Sequence, residues 1–295
     1  MLPTFLGIGA PKAGTTWLAN ALAAHPEICF SKEKESDYFT YKYGGMPPGY
    51  YESLYEPTPQ TKAAGEFSVH YLEHAEAPAR ICADLPDVRL VAAFRKPVDQ
   101  VYSHYWHLQR QNFHTADAEA GQLSFEGALD RFDWRLVTPA LYADHLERWL
   151  EHFPRERFHL LLFDDLKADP EAVVASVYDF VGVDPGWSPS TIEQTGSEAR
   201  AGTSPRSAQA ARWGARVYSG LNRFVYTPMK KAVGQERAAA VKDALRVRPL
   251  LERAFRKKGY PAMRPETRAR LVERFAEPNR RLGEMLGRDL SHWNQ

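Results

Sequence analysis

The chain has 295 residues, with 38 Lys and Arg residues against 37 Asp and Glu residues and a formal net charge of +1. Its composition, 44% hydrophobic and 25% charged, is typical of a globular protein and excludes a disordered or fibrous one. Balanced charge argues against nucleic-acid binding, and two cysteines are too few for a disulfide framework or a four-thiolate metal site. No apolar run approaches the roughly 20 residues of a membrane span. Since the first residues also show no basic leader, we expect a cytoplasmic protein.

Short apolar runs alternate with helical stretches in the first half of the chain, a pattern typical of a mostly parallel sheet covered by helices. The predicted strands, each rich in aliphatic or aromatic residues, are 5–9, 28–31, 62–67, 88–95 and 157–163. The predicted helices between them are 15–24, 77–83, 98–111, 139–152 and 170–181. Pro97 and Pro170 fit a first helical position, where a missing amide breaks no helical bond. The pattern predicts an α/β fold.

The second part of the chain changes in composition near residue 185. Residues 185–207 are rich in Ser, Gly, Pro and Thr and are predicted to form a loop, with helices at 236–257 and 266–286. We predict one domain over residues 1–295, with a loop and helical lid region at 185–260 and a C-terminal helix within 261–295 that packs on the core. Within 204–256, apolar residues at helical spacing favour core or lid packing. The alternative is contact with an anionic acceptor or a membrane surface through basic residues, among them Arg212, Arg216, Arg223, Lys230 and Lys231.

A small-residue loop follows the first predicted strand and precedes a predicted helix. This order gathers backbone amides and the positive end of a helix around one point, which forms an anion cradle. Gly9 and Gly14 have Walker A spacing, but Thr15 stands where that motif has its lysine, and the cation is Lys12. The loop is therefore predicted to bind phosphate without an evident metal partner. A turn that merely starts a helix is the alternative, and the lysine between two glycines favours the anion site.

Residues 11–18, Pro-Lys-Ala-Gly-Thr-Thr-Trp-Leu, resemble the 5′-phosphosulfate loop of sulfotransferases that use 3′-phosphoadenosine 5′-phosphosulfate (PAPS). The resemblance implies a P-loop-like three-layer fold with PAPS as co-substrate and no metal. The residues that it assigns to the 5′-phosphosulfate are Lys12, Ala13, Gly14, Thr15, Thr16 and Trp17.

A second match, residues 91–105, is similar to the 3′-phosphate segment of the same family. Arg95 closes a predicted strand and Ser103 follows eight residues later, so a guanidinium fork and a hydroxyl are offered to phosphate. Taken alone, the segment is better explained by Arg95 as a strand cap or an ion-pair partner of Asp99, with Ser103 as an ordinary helix residue. Taken with the first loop, it favours the phosphate role. Residues 196–206, with Arg200 and Gly202, loosely resemble the loop that closes over the 3′-phosphate, and a surface loop is the alternative.

The candidate base lies in residues 65–72, which resemble the Glu-Lys-Thr-Pro-Ser-Tyr-Phe segment of heparan sulfotransferases. The resemblance implies that Glu66 is the general base and that Lys12 stabilises the leaving phosphate. His70 is the rival base, because cytosolic members of the wider family use histidine; a structural salt bridge is the alternative for Glu66. Phe67 replaces the family's substrate-side lysine and Val69 replaces its proline, which disfavours a polyanionic sugar acceptor and favours an apolar alcohol or phenol.

The acceptor side is predicted from residues 32–39, which resemble the family's Lys-Glu-x-x-Phe-Phe stretch. Lys34, Tyr38, Phe39 and His70 are the candidate acceptor residues, although a charge run such as 32–35 is often a solvated face. The predicted reaction is sulfuryl transfer from PAPS to a hydroxyl of a small-molecule, lipid or glycan acceptor. The alternatives are a P-loop nucleotide kinase, with residues 160–164 as its Walker B-like strand, and an inactive nucleotide-binding module.

Overall fold

The computed structural model describes residues 1–112, 123–188, 203–205, 226–229 and 256–295. Five short strands form one sheet: β1 (Phe5–Gly9), β2 (Ile28–Phe30), β3 (Ala63–Phe67), β4 (Arg89–Phe94) and β5 (Phe158–Leu162). Their order is β2-β3-β1-β4-β5, and every neighbouring pair is parallel. β1 and β3 are buried along their whole length, as apolar strands covered on both faces should be. The five predicted strands are confirmed, each end to within one residue.

In chain order, the described residues include the helices α1 (Thr15–Ala24), α2 (Ala77–Asp84), α3 (Pro97–Asn112), α4 (Phe125–Arg131), α5 (Asp133–Leu136), α6 (Tyr142–Leu150), α7 (Phe163–Ala168), α8 (Pro170–Val181) and α9 (Pro265–Leu286). α8 starts as predicted, with Pro170 in its first turn and the Asp169 side chain accepting a hydrogen bond from the Ala172 amide at 3.0 Å. The predicted α/β fold with a mostly parallel central sheet is confirmed.

Four details differ from the sequence-based predictions. The helix predicted at 139–152 is shorter, because Thr138–Ala140 is a separate 3₁₀ turn before α6. The fifth strand ends before Phe163, which begins α7. The short helices α4 and α5 were not predicted. The end of the helix predicted at 236–257 is also wrong, because Arg256–Lys258 forms a strand (β7) paired antiparallel with Thr203–Pro205 (β6).

Two compact units divide the chain. The first, Met1–Val101, Asp133–Arg200 and Pro265–Gln295, contains the five-stranded sheet; the second, Tyr102–Phe132 and Ala201–Arg264, contains α4 and the β6–β7 ribbon. The single domain over 1–295 stays a prediction. The basic residues of 204–256 named above lie outside the described residues. Of the helices that the structure describes, none is long and apolar enough to cross a membrane.

The 3₁₀ turn Ser291–Asn294, among the last residues of the sequence, supports the first unit. Trp293 is fully buried, and its indole Nε1–H donates to Asp164 Oδ2 at 3.0 Å. Asp164 lies in the first turn of α7, whose Leu166 packs so closely on Gly14 that a Cβ there would lie 2.6 Å from Leu166 Cδ2. Residues 291–294 therefore support the helix that packs against the loop after β1.

Candidate active site

The candidate site lies at the carboxyl edge of the sheet, where β1 stands between β3 and β4. The chain moves outwards to β2, returns to β3 and then crosses to β4, so the strand order reverses at β1. Ligands bind at such a switch point, beyond the carboxyl ends of the strands. The segment after β3 is fastened to β1 by two backbone bonds, from Ser68 N–H to the Gly7 carbonyl at 2.9 Å and from Leu72 N–H to the Ile8 carbonyl at 2.8 Å. The residues that follow β1 and β3 are therefore neighbours.

The loop between β1 and α1 has the form of an anion cradle. Lys12 (φ 64°) and Gly14 (φ 88°) both adopt left-handed backbone conformations, and Gly14 is the N-cap of α1 with no side chain to cap it. Two carbonyls of the loop face side chains of the first unit: Pro11 accepts from Gln100 Nε2 at 3.1 Å and Lys12 accepts from Arg95 Nη1 at 3.2 Å. Since the first turn of α1 contains no acidic residue, its amides and positive dipole end favour an anion.

The other residues predicted for the 5′-phosphosulfate belong to this loop and the first turn of α1. Ala13, Thr15 and Trp17 are buried, whereas Thr16 is exposed. Lys12 is half-buried at the tip of the loop. Their assignment to the donor stays a prediction.

Arg95 follows β4 and helps to hold the loop. Besides its bond to the Lys12 carbonyl, its guanidinium lies 4.9 Å from the centroid of the Phe163 ring. The alternative ion pair with Asp99 is not formed; Asp99 pairs with Arg268 at 3.3 Å. Ser103 belongs to the second unit, where it is buried with its hydroxyl 3.5 Å from that of Tyr260, so its place beside Arg95 stays a prediction. Arg200 and Gly202 lie outside the described residues.

Glu66 is the penultimate residue of β3 and is fully buried. Its Oε1 accepts from the hydroxyls of Ser36 (2.7 Å), Tyr51 (2.9 Å) and Tyr71 (2.8 Å). Its Oε2 accepts from the Ser68 hydroxyl at 2.8 Å and the Ser36 amide at 3.2 Å. Burial raises the pKa of both tyrosine hydroxyls, which keeps them protonated as donors. The carboxylate is thus fixed by five donors rather than by the salt bridge considered from the sequence.

His70 lies three residues beyond the end of β3 and is half-buried. Its Nδ1 lies 2.9 Å from Glu73 Oε1, and this hydrogen bond raises the pKa of the imidazole. Asp37, in a left-handed conformation (φ 51°), donates its amide to Ser68 Oγ at 3.1 Å. Burial raises the pKa of Asp37. The His70 imidazole, in the segment after β3, is therefore held by the Glu73 carboxylate, and Asp37 also raises its pKa.

The residues predicted for the acceptor side have unlike environments. Lys34 is half-buried and pairs with Glu35 at 2.6 Å; the Glu35 amide donates to the Phe67 carbonyl at 2.9 Å, which fixes this segment beside the end of β3. Tyr38 is half-buried and stacks on Tyr51 with ring centroids 4.2 Å apart. Phe39 is buried in the core and makes edge contacts with neighbouring rings, so it supports the site from behind.

Sequence reasoning did not assign the residues that hold Glu66 and the loop after β1. Ser36, Tyr51, Ser68 and Tyr71 hold Glu66, and Gln100 holds the loop after β1. Ser68 and Tyr71 had a signal, because they lie in the same motif as Glu66. Ser36 and Tyr51 come from a long connection whose path no local pattern reveals.

Asp164, the acidic residue of the Walker B-like strand considered above, serves the fold. It accepts from Trp293 Nε1 and pairs with Lys167 at 2.7 Å. This use disfavours the kinase alternative, which requires that carboxylate near a nucleotide-bound Mg²⁺.

The strand order and the loop after β1 define an α/β protein of the P-loop-like class. Residues 3–197 match the model of the sulfotransferase domain, and the chain belongs to that family. The family predicted from the sequence is thereby confirmed.

Similar proteins include two human heparan sulfate enzymes. The chain is 32% identical over 206 residues to bifunctional heparan sulfate N-deacetylase/N-sulfotransferase 3 of Homo sapiens, which covers 63% of this chain and 23% of that protein. It is 30% identical over 185 residues to heparan sulfate glucosamine 3-O-sulfotransferase 3B1 of Homo sapiens, a match that covers 62% of this chain and 46% of that protein. The chain thus spans less than half the length of either relative. Among solved structures, a sulfotransferase from Alicyclobacillus acidocaldarius has the same fold, with a TM-score of 0.70, 23% identity and full coverage of both chains.

Proposed function

We propose that the protein transfers a sulfuryl group from PAPS to a hydroxyl acceptor. The observation that carries this proposal is the joining of two segments at one sheet edge. The lysine-bearing loop follows β1, and the segment with Glu66 and His70 lies at the end of the neighbouring β3. Bonds to the Gly7 and Ile8 carbonyls tie the two together, so an anion cradle and acid–base groups are adjacent. Membership of the sulfotransferase family supports the same reaction.

The loop would supply electrostatic stabilisation. Amides at the start of α1 and the Lys12 ammonium would hold the 5′-phosphosulfate, and Lys12 would stabilise the charge that develops on the leaving phosphate. Arg95 and Ser103, with Arg200 and Gly202, are the proposed 3′-phosphate residues. As the acceptor oxygen bonds to sulfur, the bond from sulfur to the bridging phosphate oxygen breaks and its electron pair stays on the phosphate. The acceptor proton goes to a base at the end of β3, for which the sequence offers Glu66 and His70.

The acceptor proposed here is an uncharged, largely apolar alcohol or phenol. Both relatives named above carry heparan sulfate in their names, but here Phe67 and Val69 stand where the heparan-type motif that residues 65–72 resemble has lysine and proline. The charges of the segment beside β3 support the same choice, because Lys34 is paired with Glu35 and Lys42 is paired with Glu33 at 2.8 Å. Two further carboxyl groups, those of Asp37 and Glu73, lie in the same region. A polyanionic chain would meet repulsion there, whereas half-buried tyrosines such as Tyr38 offer an apolar wall.

Calorimetry tests the donor. We expect 3′,5′-adenosine bisphosphate to bind in the presence of EDTA, and ATP to bind weakly with or without Mg²⁺. Binding of ATP that requires Mg²⁺, with none of the bisphosphate, would favour the kinase alternative instead. Transfer of radiolabelled sulfate from PAPS is then measured over a panel of phenols, alcohols and a heparan oligosaccharide. Bisphosphate binding without transfer to any acceptor or to water would favour the inactive binding module.

A further inference from the structure

The buried carboxylate at the end of β3 has no acceptor position left for a substrate. An ionised carboxylate offers about four lone-pair sites, and Glu66 already receives five hydrogen bonds. It is also fully buried, beneath Ser36, Ser68 and two tyrosines. An acceptor hydroxyl would have to displace a donor that is itself buried. This arrangement suits a group that organises the segment rather than one that receives a proton at each turnover.

The imidazole four residues later has the opposite properties. The His70 side chain is 33% exposed, and its Nδ1 is engaged by Glu73 Oε1 at 2.9 Å. Because an ionised carboxylate only accepts, Nδ1 carries the hydrogen and Nε2 carries the lone pair. Within the described part of the chain, Nε2 makes no hydrogen bond. A carboxylate that orients an imidazole in this way is a recurrent means of making a general base.

We propose that His70, oriented by Glu73, is the general base of the proposed sulfuryl transfer, and that Glu66 is a positioning residue. This inference rests on the proposed function. The acceptor O–H bond breaks as its oxygen bonds to sulfur, and the proton moves to His70 Nε2. The Nδ1 hydrogen stays in its bond to Glu73, and the imidazolium later releases one proton to solvent. The products are the sulfate ester, the bisphosphate and that proton, so atoms and charge balance.

The carboxylates that act on His70 come from two segments. Glu73 is on its own segment, and Asp37 and Glu35 lie on the connection that leads to the tyrosines. Arg148 of α6 donates to the Glu73 carbonyl at 3.0 Å. The carboxylates raise the pKa of His70, and the Glu73 bond is the largest cause. A base must be neutral to act, so activity should rise with pH through an imidazole pKa above the ordinary value of about 6.5. Replacing Glu73 with glutamine removes a negative charge, which lowers the pKa of His70. The acidic limb of the pH–activity profile should therefore move to lower pH.

The experiment compares H70A with the matched control H74A in the full chain. His74 is a neighbouring half-buried histidine with no place in the proposed machinery. The assay follows labelled sulfate leaving PAPS for any acceptor, water included, and calorimetry with 3′,5′-adenosine bisphosphate runs in parallel. We expect kcat to fall about 10²- to 10⁴-fold in H70A and to be partly restored by added imidazole. Bisphosphate affinity should stay unchanged in H70A, and H74A should keep the activity of the parent protein.

Each result has one meaning. An H70A protein that binds the bisphosphate and turns over within threefold of the parent would overturn the base assignment and return the role to Glu66. An E73Q variant whose acidic limb does not move would overturn the orienting role of Glu73. Failure of the parent protein to bind the bisphosphate or release labelled sulfate would instead contradict the proposed function.

Discussion

The loop that follows β1 is held through its backbone carbonyls, whereas the segment that follows β3 is held through side chains. In the loop, Gln100 and Arg95 bind the carbonyls of Pro11 and Lys12. In the segment, hydroxyls from three separate stretches converge on the Glu66 carboxylate. The first arrangement engages carbonyls rather than amides, and the second surrounds one carboxylate with protein donors. One of two neighbouring strands thus ends in a loop held by its carbonyls, and the other ends at a carboxylate fixed by side chains.

The strongest way to break the side-chain network is Glu66→Ala. Its five donors would be stranded in the core, and each unsatisfied buried donor costs about 1–3 kcal/mol. Because serine hydroxyls can rotate towards other acceptors, we expect a net loss of about 3–5 kcal/mol in the free energy of unfolding, measured by urea denaturation. Glu56→Ala is the control, since Glu56 forms an exposed pair with Lys32 and should cost under about 0.5 kcal/mol. Equal effects of the two substitutions would contradict the role assigned to the network.

Lys12→Met tests the loop after β1, where the expected effect is on turnover. Both residues carry a Cβ, so the left-handed backbone is equally strained in each. Loss of the ammonium should lower kcat about 10²- to 10³-fold, the usual effect of removing one group that stabilises developing charge. Lys62→Met serves as control, because Lys62 is exposed and pairs with Glu27 at 2.5 Å. Steady-state kinetics with unchanged turnover in Lys12→Met would refute the assignment.

A comparison of Gly14→Ala with Gly44→Ala separates the cost of backbone strain from the cost of close packing. Both glycines have positive φ (88° and 72°), but an added Cβ meets Leu166 at 2.6 Å at Gly14 and no atom within 4 Å at Gly44. Gly44→Ala should cost about 1 kcal/mol of unfolding free energy from strain alone. Gly14→Ala should cost about 2–3 kcal/mol and also weaken bisphosphate binding. Matching urea midpoints for the two variants would show that α7 yields to the new methyl group.

Gln100→Leu gives the smallest expected effect. It leaves the Pro11 carbonyl without its side-chain donor, a loss of about 1 kcal/mol, or roughly fivefold in affinity for 3′,5′-adenosine bisphosphate. Calorimetry measures this affinity, and Gln60→Leu, at an exposed glutamine, is the control. Unaltered affinity would mean that Arg95 alone is sufficient to hold the loop.

The loop after β1 and the network around Glu66 also differ in how far the sequence predicts them. The strands, the loop after β1 and the position of Glu66 at the end of β3 follow from apolar runs, two glycines and a lysine, which are local signals. The partners of Glu66 do not, because Ser36 and Tyr51 lie 30 and 15 residues away and reach the carboxylate through an irregular connection. Likewise, the bond between Gln100 and Pro11 spans 89 residues and depends on how α3 starts beside β1. The motif predicts Phe39 on the acceptor side, but its burial follows from the packing of the tyrosines around it.

The buried indole of Trp293 has a practical consequence for anyone who prepares this protein. Its bond to Asp164 steadies α7, and α7 packs on Gly14. An expression boundary placed before residue 293 would therefore weaken donor binding from a distance, although it removes no residue of the cradle.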